Sequence, residues 1–130
     1  MKWIKRYILL LAVGLVLPSC GPMSGDLRFC ESVNQDTLAG ENCKEAFSAS
    51  HSILWFRLEK PTPFRVSHIE VRLYRVNGEA ERPVDSGTLD VQPEWSVFAS
   101  QFYVTSQGHY RVYILDPNGK TMAKGDFRVK

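Results

Sequence analysis

From residue 52 onward, no stretch of this chain runs more than about a dozen residues before meeting a turn former. Pro61 and Pro63 are the first, followed by Asn77-Gly78, Pro93, Gly108, and Asp116-Pro117-Asn118-Gly119. Proline fixes φ and lacks an N–H, while Asn-Gly tolerates the left-handed conformation, so each marks a place where a regular element must stop. Such punctuation leaves little room for a helix and suits short strands. The segments between the turns agree. Ile53-Leu54-Trp55-Phe56-Arg57-Leu58 is aromatic and branched, and His68-Ile69-Glu70-Val71-Arg72-Leu73 alternates apolar with charged at period two. Tyr110, Val112 and Ile114 alternate with His109, Arg111 and Tyr113, and Phe127 is in phase with Val129 in a last strand over residues 122–129. Residues 79–83 form the return strand after Asn77-Gly78, and Thr88-Leu89-Asp90-Val91 forms a separate short one. Trp95, Val97 and Ala99 share one parity and Phe102 and Val104 the other, which calls for a bulge or for two strands meeting at a bend. About six to eight strands at this spacing predict an all-β sandwich or barrel. Trp55 and Trp95 are expected in its core, because a small domain needs large residues to fill it.

Residues 1–19 do not fit that pattern. Lys2, Lys5 and Arg6 form a basic head, an apolar run of 11 residues covers 7–17, and Pro18-Ser19-Cys20 follows. About 20 apolar residues are needed to span a bilayer, so this run suits the apolar region of a secretory signal peptide. Leu17, Ser19 and Cys20 resemble the bacterial lipobox, with Pro18 departing from its usual choices. The resemblance implies that the chain is cut before Cys20 and that Cys20 carries diacylglycerol and further acyl chains such as palmitate. Two or three chains anchor a protein durably. Gly21, rather than Asp, follows the cysteine, and by analogy with enteric sorting this implies the outer membrane.

Removing 19 of the 130 residues leaves 111, the size of one domain. The whole chain has 16 Lys and Arg against 14 Asp and Glu; three bases leave with the signal, so 13 stand against 14 and the net charge is −1. The basic balance belongs to the targeting segment, and no nucleic-acid partner is expected. With Cys20 lipidated, Cys30 and Cys43 are an even pair, and in an exported protein they are expected to form a disulfide closing a loop of 12 residues. The alternative, a metal site completed by His51, has a poor ligand set. The expected organisation is therefore a signal peptide over 1–19, lipidated Cys20 with a tether to 28, a disulfide-closed polar segment over 29–49 with a short helix over 41–47, and a β-sandwich over 50–130.

Gly108-His109-Tyr110-Arg111-Val112 resembles the start of strand F in immunoglobulin-like domains. There a tyrosine hydroxyl bonds back to upstream backbone, the tyrosine corner. The inter-sheet cysteine pair of antibodies is missing, so the resemblance is to bacterial immunoglobulin-like or fibronectin-like modules. It implies a small antiparallel immunoglobulin-like sandwich.

Chemistry is sparse. The sequence contains no Gly-x-Ser-x-Gly, no His-Glu-x-x-His and no phosphate-binding glycine loop. His68 and His109 open their strands and would approach each other if those strands paired. The Asp116 turn supplies too few oxygens for calcium. No catalytic residue, metal or cofactor is expected. Binding is the stronger reading: Arg72 and Tyr74, with Arg111 and Tyr113, form two outward stripes of residue types enriched at interface hot spots. The expected function is a non-catalytic protein-binding or assembly module of the bacterial cell envelope, with an unidentified envelope or surface protein as partner and the bilayer held through Cys20. The alternative is a periplasmic lysozyme-type hydrolase inhibitor, which needs a protruding loop at residues 83–87 or 106–108.

Overall fold

A computed structural model describes residues 25–49 and 53–130. The expected signal peptide, the expected lipidation site Cys20, and His51 lie outside the described residues. Nine strands follow one another with no helix among the described residues. They are β1 (Asp26–Val33), β2 (Gly40–Cys43), β3 (Ala46–Phe47), β4 (Ile53–Glu59) and β5 (His68–Asn77), then β6 (Ala80–Asp90), β7 (Val97–Tyr103), β8 (Gly108–Leu115) and β9 (Thr121–Val129). One sheet has the order β3-β9-β8-β5-β6, the other β2-β1-β4-β7. All pairs are antiparallel except β3 with β9.

The alternation read from the sequence places the core. Leu54, Phe56 and Leu58 of β4 turn inward with Phe29, Phe98 and Phe102, against Ile69 and Leu73 of β5, Tyr110, Val112 and Ile114 of β8, and Phe127 of β9. Phe127 is the hub. Its ring lies 4.8 Å from Phe29, 5.3 Å from Tyr110, 5.5 Å from Phe102 and 6.3 Å from Phe47, so it joins both sheets. Burying one such ring stabilises by about 1.5–3 kcal/mol.

The strand order is that of an immunoglobulin-like sandwich: the sequential β8–β9 hairpin lies beside β5 in one sheet, and β1, β4 and β7 lie together in the other. The tyrosine corner is present. Tyr110 stands at the start of β8 and is 2% exposed, and its hydroxyl donates to the Ser106 carbonyl at 2.7 Å. Gly108, just upstream, has φ +155°, and a Cβ there would strike the Arg75 guanidinium. Arg75 in turn donates to the Gln107 carbonyl and lies over the Tyr110 ring.

Four sequence expectations change. The tether and polar segment do not stand apart, because β1 begins at Asp26 and pairs with β4 from Asp26↔Glu59 to Cys30↔Trp55. Residues 41–47 form β2 and β3 rather than a helix: the Cys30–Cys43 disulfide sets Cys43 opposite Cys30, and Phe47 pairs with Val129. Residues 79–83 and 88–91 merge into one strand, β6, whose register slips once between Leu73 and Tyr74 of β5, leaving Val84 unpaired and 51% exposed. Pro83 does not break β6 because β6 is an edge, where a missing N–H costs little. Finally, β7 is one unbroken strand. Phe98 and Phe102 face the core, while Val97 and Ala99 share the outer face with Trp55. Trp95, 41% exposed, precedes β7 and stacks on Phe98.

The β1–β2 hairpin folds over part of the outer face of the four-stranded sheet, where Trp55, Val97 and Ala99 stand beside Arg57 and Glu59. Arg57 donates to the Leu38 carbonyl at 2.6 Å, and Leu38 shares a groove with Trp95, Val97 and Ala99. Gly40 rests against the disulfide, where a Cβ would collide with both sulfurs. Cys30 is fully buried there.

Candidate protein-binding face

β5 and β8 are neighbours, and their register sets Arg111 opposite Tyr74 and Tyr113 opposite Arg72. The four residues singled out from the sequence therefore form a two-by-two array on the outer face of the five-stranded sheet. Directly opposed pairs lie about 4.5–5.5 Å apart at Cβ, close enough for each to order the other. The tyrosine rings meet edge to face, with centroids 5.4 Å apart and planes at 89°.

Acidic residues from the flanking strands hold Arg111 and Tyr113. Asp126 of β9 receives a two-pronged contact from Arg111, Nε to Oδ1 at 2.8 Å and Nη2 to Oδ2 at 2.9 Å. From the other side of the sheet, Glu81 of β6 accepts from Arg111 Nη1 and from the Tyr113 hydroxyl, both at 2.7 Å. His109 Nε2 completes the set at 2.7 Å from Asp126. The forked contact holds the guanidinium in one plane. These bonds shift the ionisations in a consistent way. The Arg111 hydrogen bonds hold the Asp126 carboxyl below its ordinary range. The Tyr113 hydroxyl, then Arg111, lowers Glu81. Asp126, then Glu81, raises Arg111, and Glu81 raises Tyr113. Arg72 is held more lightly, by Glu70 two residues away on the same strand, at 2.8 and 3.2 Å.

Such a surface offers a cation and a phenol fixed by carboxylates, Arg111 and Tyr113, beside the more lightly held Arg72 and Tyr74. It suits recognition of a protein surface. Sequence reasoning missed Asp126 and Glu81, which fix Arg111 and Tyr113, because a bulge hides the first. Carrying the register at Leu115↔Thr121 straight along the strands would set Arg111 opposite Gly125; the slip after Ile114 brings Asp126 there instead.

The two histidines are not brought together. β5 and β8 run antiparallel, so His68, opposite Asp90, and His109, opposite Arg128, stand at opposite ends of the sheet. Among the described residues no group of three or more His, Cys, Asp or Glu is placed to hold a metal. Asp116 Oδ1 instead accepts from the backbone N–H of Asn118 and Lys120, which builds the β8–β9 turn. Neither loop proposed for insertion into a hydrolase protrudes freely. Residues 83–87 lie within β6, and the 106–108 backbone is tied to Tyr110 and Arg75.

No protein-family model matches the chain, and no curated protein sequence matches it. Among solved structures, a superoxide reductase (neelaredoxin) from Ignicoccus hospitalis is similar over 67% of this chain and 76% of that one, at 14% identity and a TM-score of 0.45. A Niemann-Pick type C2 protein from Japanese carpenter ant is similar over 88% and 99%, at 11% identity and a TM-score of 0.45. Likenesses this distant carry no functional argument, and the fold assignment rests on the strand order.

Proposed function

We propose that this chain is a lipid-anchored, non-catalytic protein-binding module of the bacterial cell envelope, held at the outer membrane through acylated Cys20. The observation that supports it is the Arg72, Tyr74, Arg111 and Tyr113 array, in which Asp126 and Glu81 fix Arg111 and Tyr113 before any partner arrives. Side chains already ordered lose little rotamer freedom on association, where each mobile one costs about 0.5–1.5 kcal/mol. The hydrolase-inhibitor alternative has less to support it, since both of its loop candidates are tied into the sheet.

Two experiments test the reading. Cells fed radiolabelled palmitate should label the wild-type chain and not Cys20→Ser; equal labelling of both removes the anchor. Chemical crosslinking in intact cells should join the wild-type chain to one envelope protein. Tyr74→Ala with Tyr113→Ala should cut that adduct at least tenfold without changing the amount of folded chain. An adduct of unchanged yield removes the array from the function.

A further inference from the structure

Four strands form the edges of the two sheets, and three of them are protected against further pairing. β3 is only two residues long. β2 has four residues, Glu41 among them. β6 carries Glu81, Arg82, Pro83, Asp85 and Asp90, and it is bent by the bulge at Val84. Short length, charge, proline and bulges are the devices by which proteins keep a sheet edge from recruiting another strand. β7 has none of them. Its sequence, Val-Phe-Ala-Ser-Gln-Phe-Tyr, has no charge and no proline, its seven pairs with β4 run without a slip, and among the described residues no strand pairs with its other side.

A second feature lies at the same edge. Between β6 and β7 the sandwich opens into a cavity of about 130 Å³, walled by Phe56, Leu73, Leu89 and Phe102, with Asp85 and Gln101 also in its lining. It opens where β6, beyond Leu89, turns Gly87 and Asp85 rather than large apolar side chains toward the core. Gly87 stands opposite Val71 and Asp85 opposite Leu73, and a Cβ at Gly87 would meet nothing within 4 Å. A dry cavity of about 150 Å³ holds a benzene ring, so this one has room for a single branched aliphatic side chain.

We propose that β7 is a strand-addition edge. An extended segment of a partner protein pairs with the backbone of β7 and places one leucine- or isoleucine-sized side chain in the cavity. A basic residue two positions away, on the same face of that segment, meets Asp85. Backbone hydrogen bonds supply affinity and the alternate-residue cavity supplies selectivity, as in other strand-addition complexes. The uncharged edge tolerates an apolar strand, and the carboxylate selects its cation. The inference stands on the fold alone and needs neither the Cys20 anchor nor the Tyr/Arg array.

The test selects a phage-displayed library of random octapeptides on the purified full chain in detergent, then uses the most enriched octapeptide as a synthetic probe. Enriched sequences should alternate β-branched residues and carry Leu or Ile two positions from Lys or Arg. The probe should slow amide exchange at least tenfold within residues 97–103. Gly87→Leu, which fills the cavity, should weaken the probe at least tenfold, and Asp85→Lys should remove the preference for a basic residue. Absence of any enriched octapeptide, protection outside β7, or undiminished binding by folded Gly87→Leu overturns the proposal. So does a β7-to-β7 dimer of the chain seen by sedimentation, which would make a second copy the occupant. If Gly87→Leu fails to fold, the location of amide protection in the wild-type chain still decides.

Discussion

The two outer faces of this sandwich are stabilised in different ways. Over the four-stranded sheet, a covalent bond and a folded-back hairpin cover apolar residues; Cys30 is buried, Gly40 lies on the disulfide and Arg57 holds the hairpin by a backbone carbonyl. Over the five-stranded sheet no hairpin lies among the described residues, and the face is ordered by ion pairs that cross from β6 to β9 through Arg111. One face should therefore respond to reductant and the other to acid and salt. The difference shows why the apolar residues on the first face do not read as surface, and why the charged residues on the second do not behave as loose solvated side chains.

Breaking the covalent brace should have the largest effect. Cys30→Ala with Cys43→Ala should cost roughly 3 kcal/mol, seen as a lower thermal midpoint, and reductant should reproduce it on the wild type. A loss below about 1 kcal/mol would mean that the Arg57–Leu38 contact docks the hairpin by itself. Tyr110→Phe comes next, because it leaves the Ser106 carbonyl without its hydroxyl donor. Urea unfolding should report about 1–2 kcal/mol lost, with no change in reductant sensitivity. Arg111→Ala should cost roughly 1 kcal/mol at low salt and less at high salt, since its side chain is partly exposed and the network is screened.

Acid should act on the same network. Asp126 and Glu81 have folded values lowered from 3.8 and 4.5. Their contribution is therefore complete above those ordinary values and disappears as pH falls through the lowered ones. Melting curves between pH 7 and pH 2 should show the difference between wild type and Arg111→Ala closing at the acid end; a constant difference would sever the link between the two. The smallest effect belongs to Arg72→Ala. Its partner is a half-exposed neighbour on its own strand, and the midpoint should not move measurably.

Much of this was legible because β5, β8 and β9 follow the simplest rule, one face wet and one face dry. Their alternation identified Ile69, Tyr110 and Val112 as core, and Gly108 with Tyr110 identified the corner. The rule fails where the outer face is not wet. Val97, Ala99 and Trp55 are apolar yet face away from the core, under or beside the hairpin, so parity along β7 pointed to a bulge that does not exist. Pro83 and Gly87 suggested a break in β6 because sequence alone does not mark an edge strand. The site was half legible. Arg72, Tyr74, Arg111 and Tyr113 emerged from strand periodicity, but their acidic supports depend on register, and a single-residue slip set one of them.

The parallel pair of β3 and β9 also governs when folding can finish. Phe47 pairs with Val129, and Lys130 both donates to the Phe47 carbonyl and accepts from the Ala49 N–H. β9 lies inside its sheet, between β3 and β8. A nascent chain can therefore pair β1 with β4, and β5 with β6 and β8, before residues 121–130 emerge, while β3 can join its sheet only through β9. Until then Phe29, Phe47 and Tyr110 lack the ring of Phe127 against which they pack. Docking of β9 is thus the step that joins β3 to the sheet and closes the core, and a domain still lacking it is the species that cellular quality control would encounter.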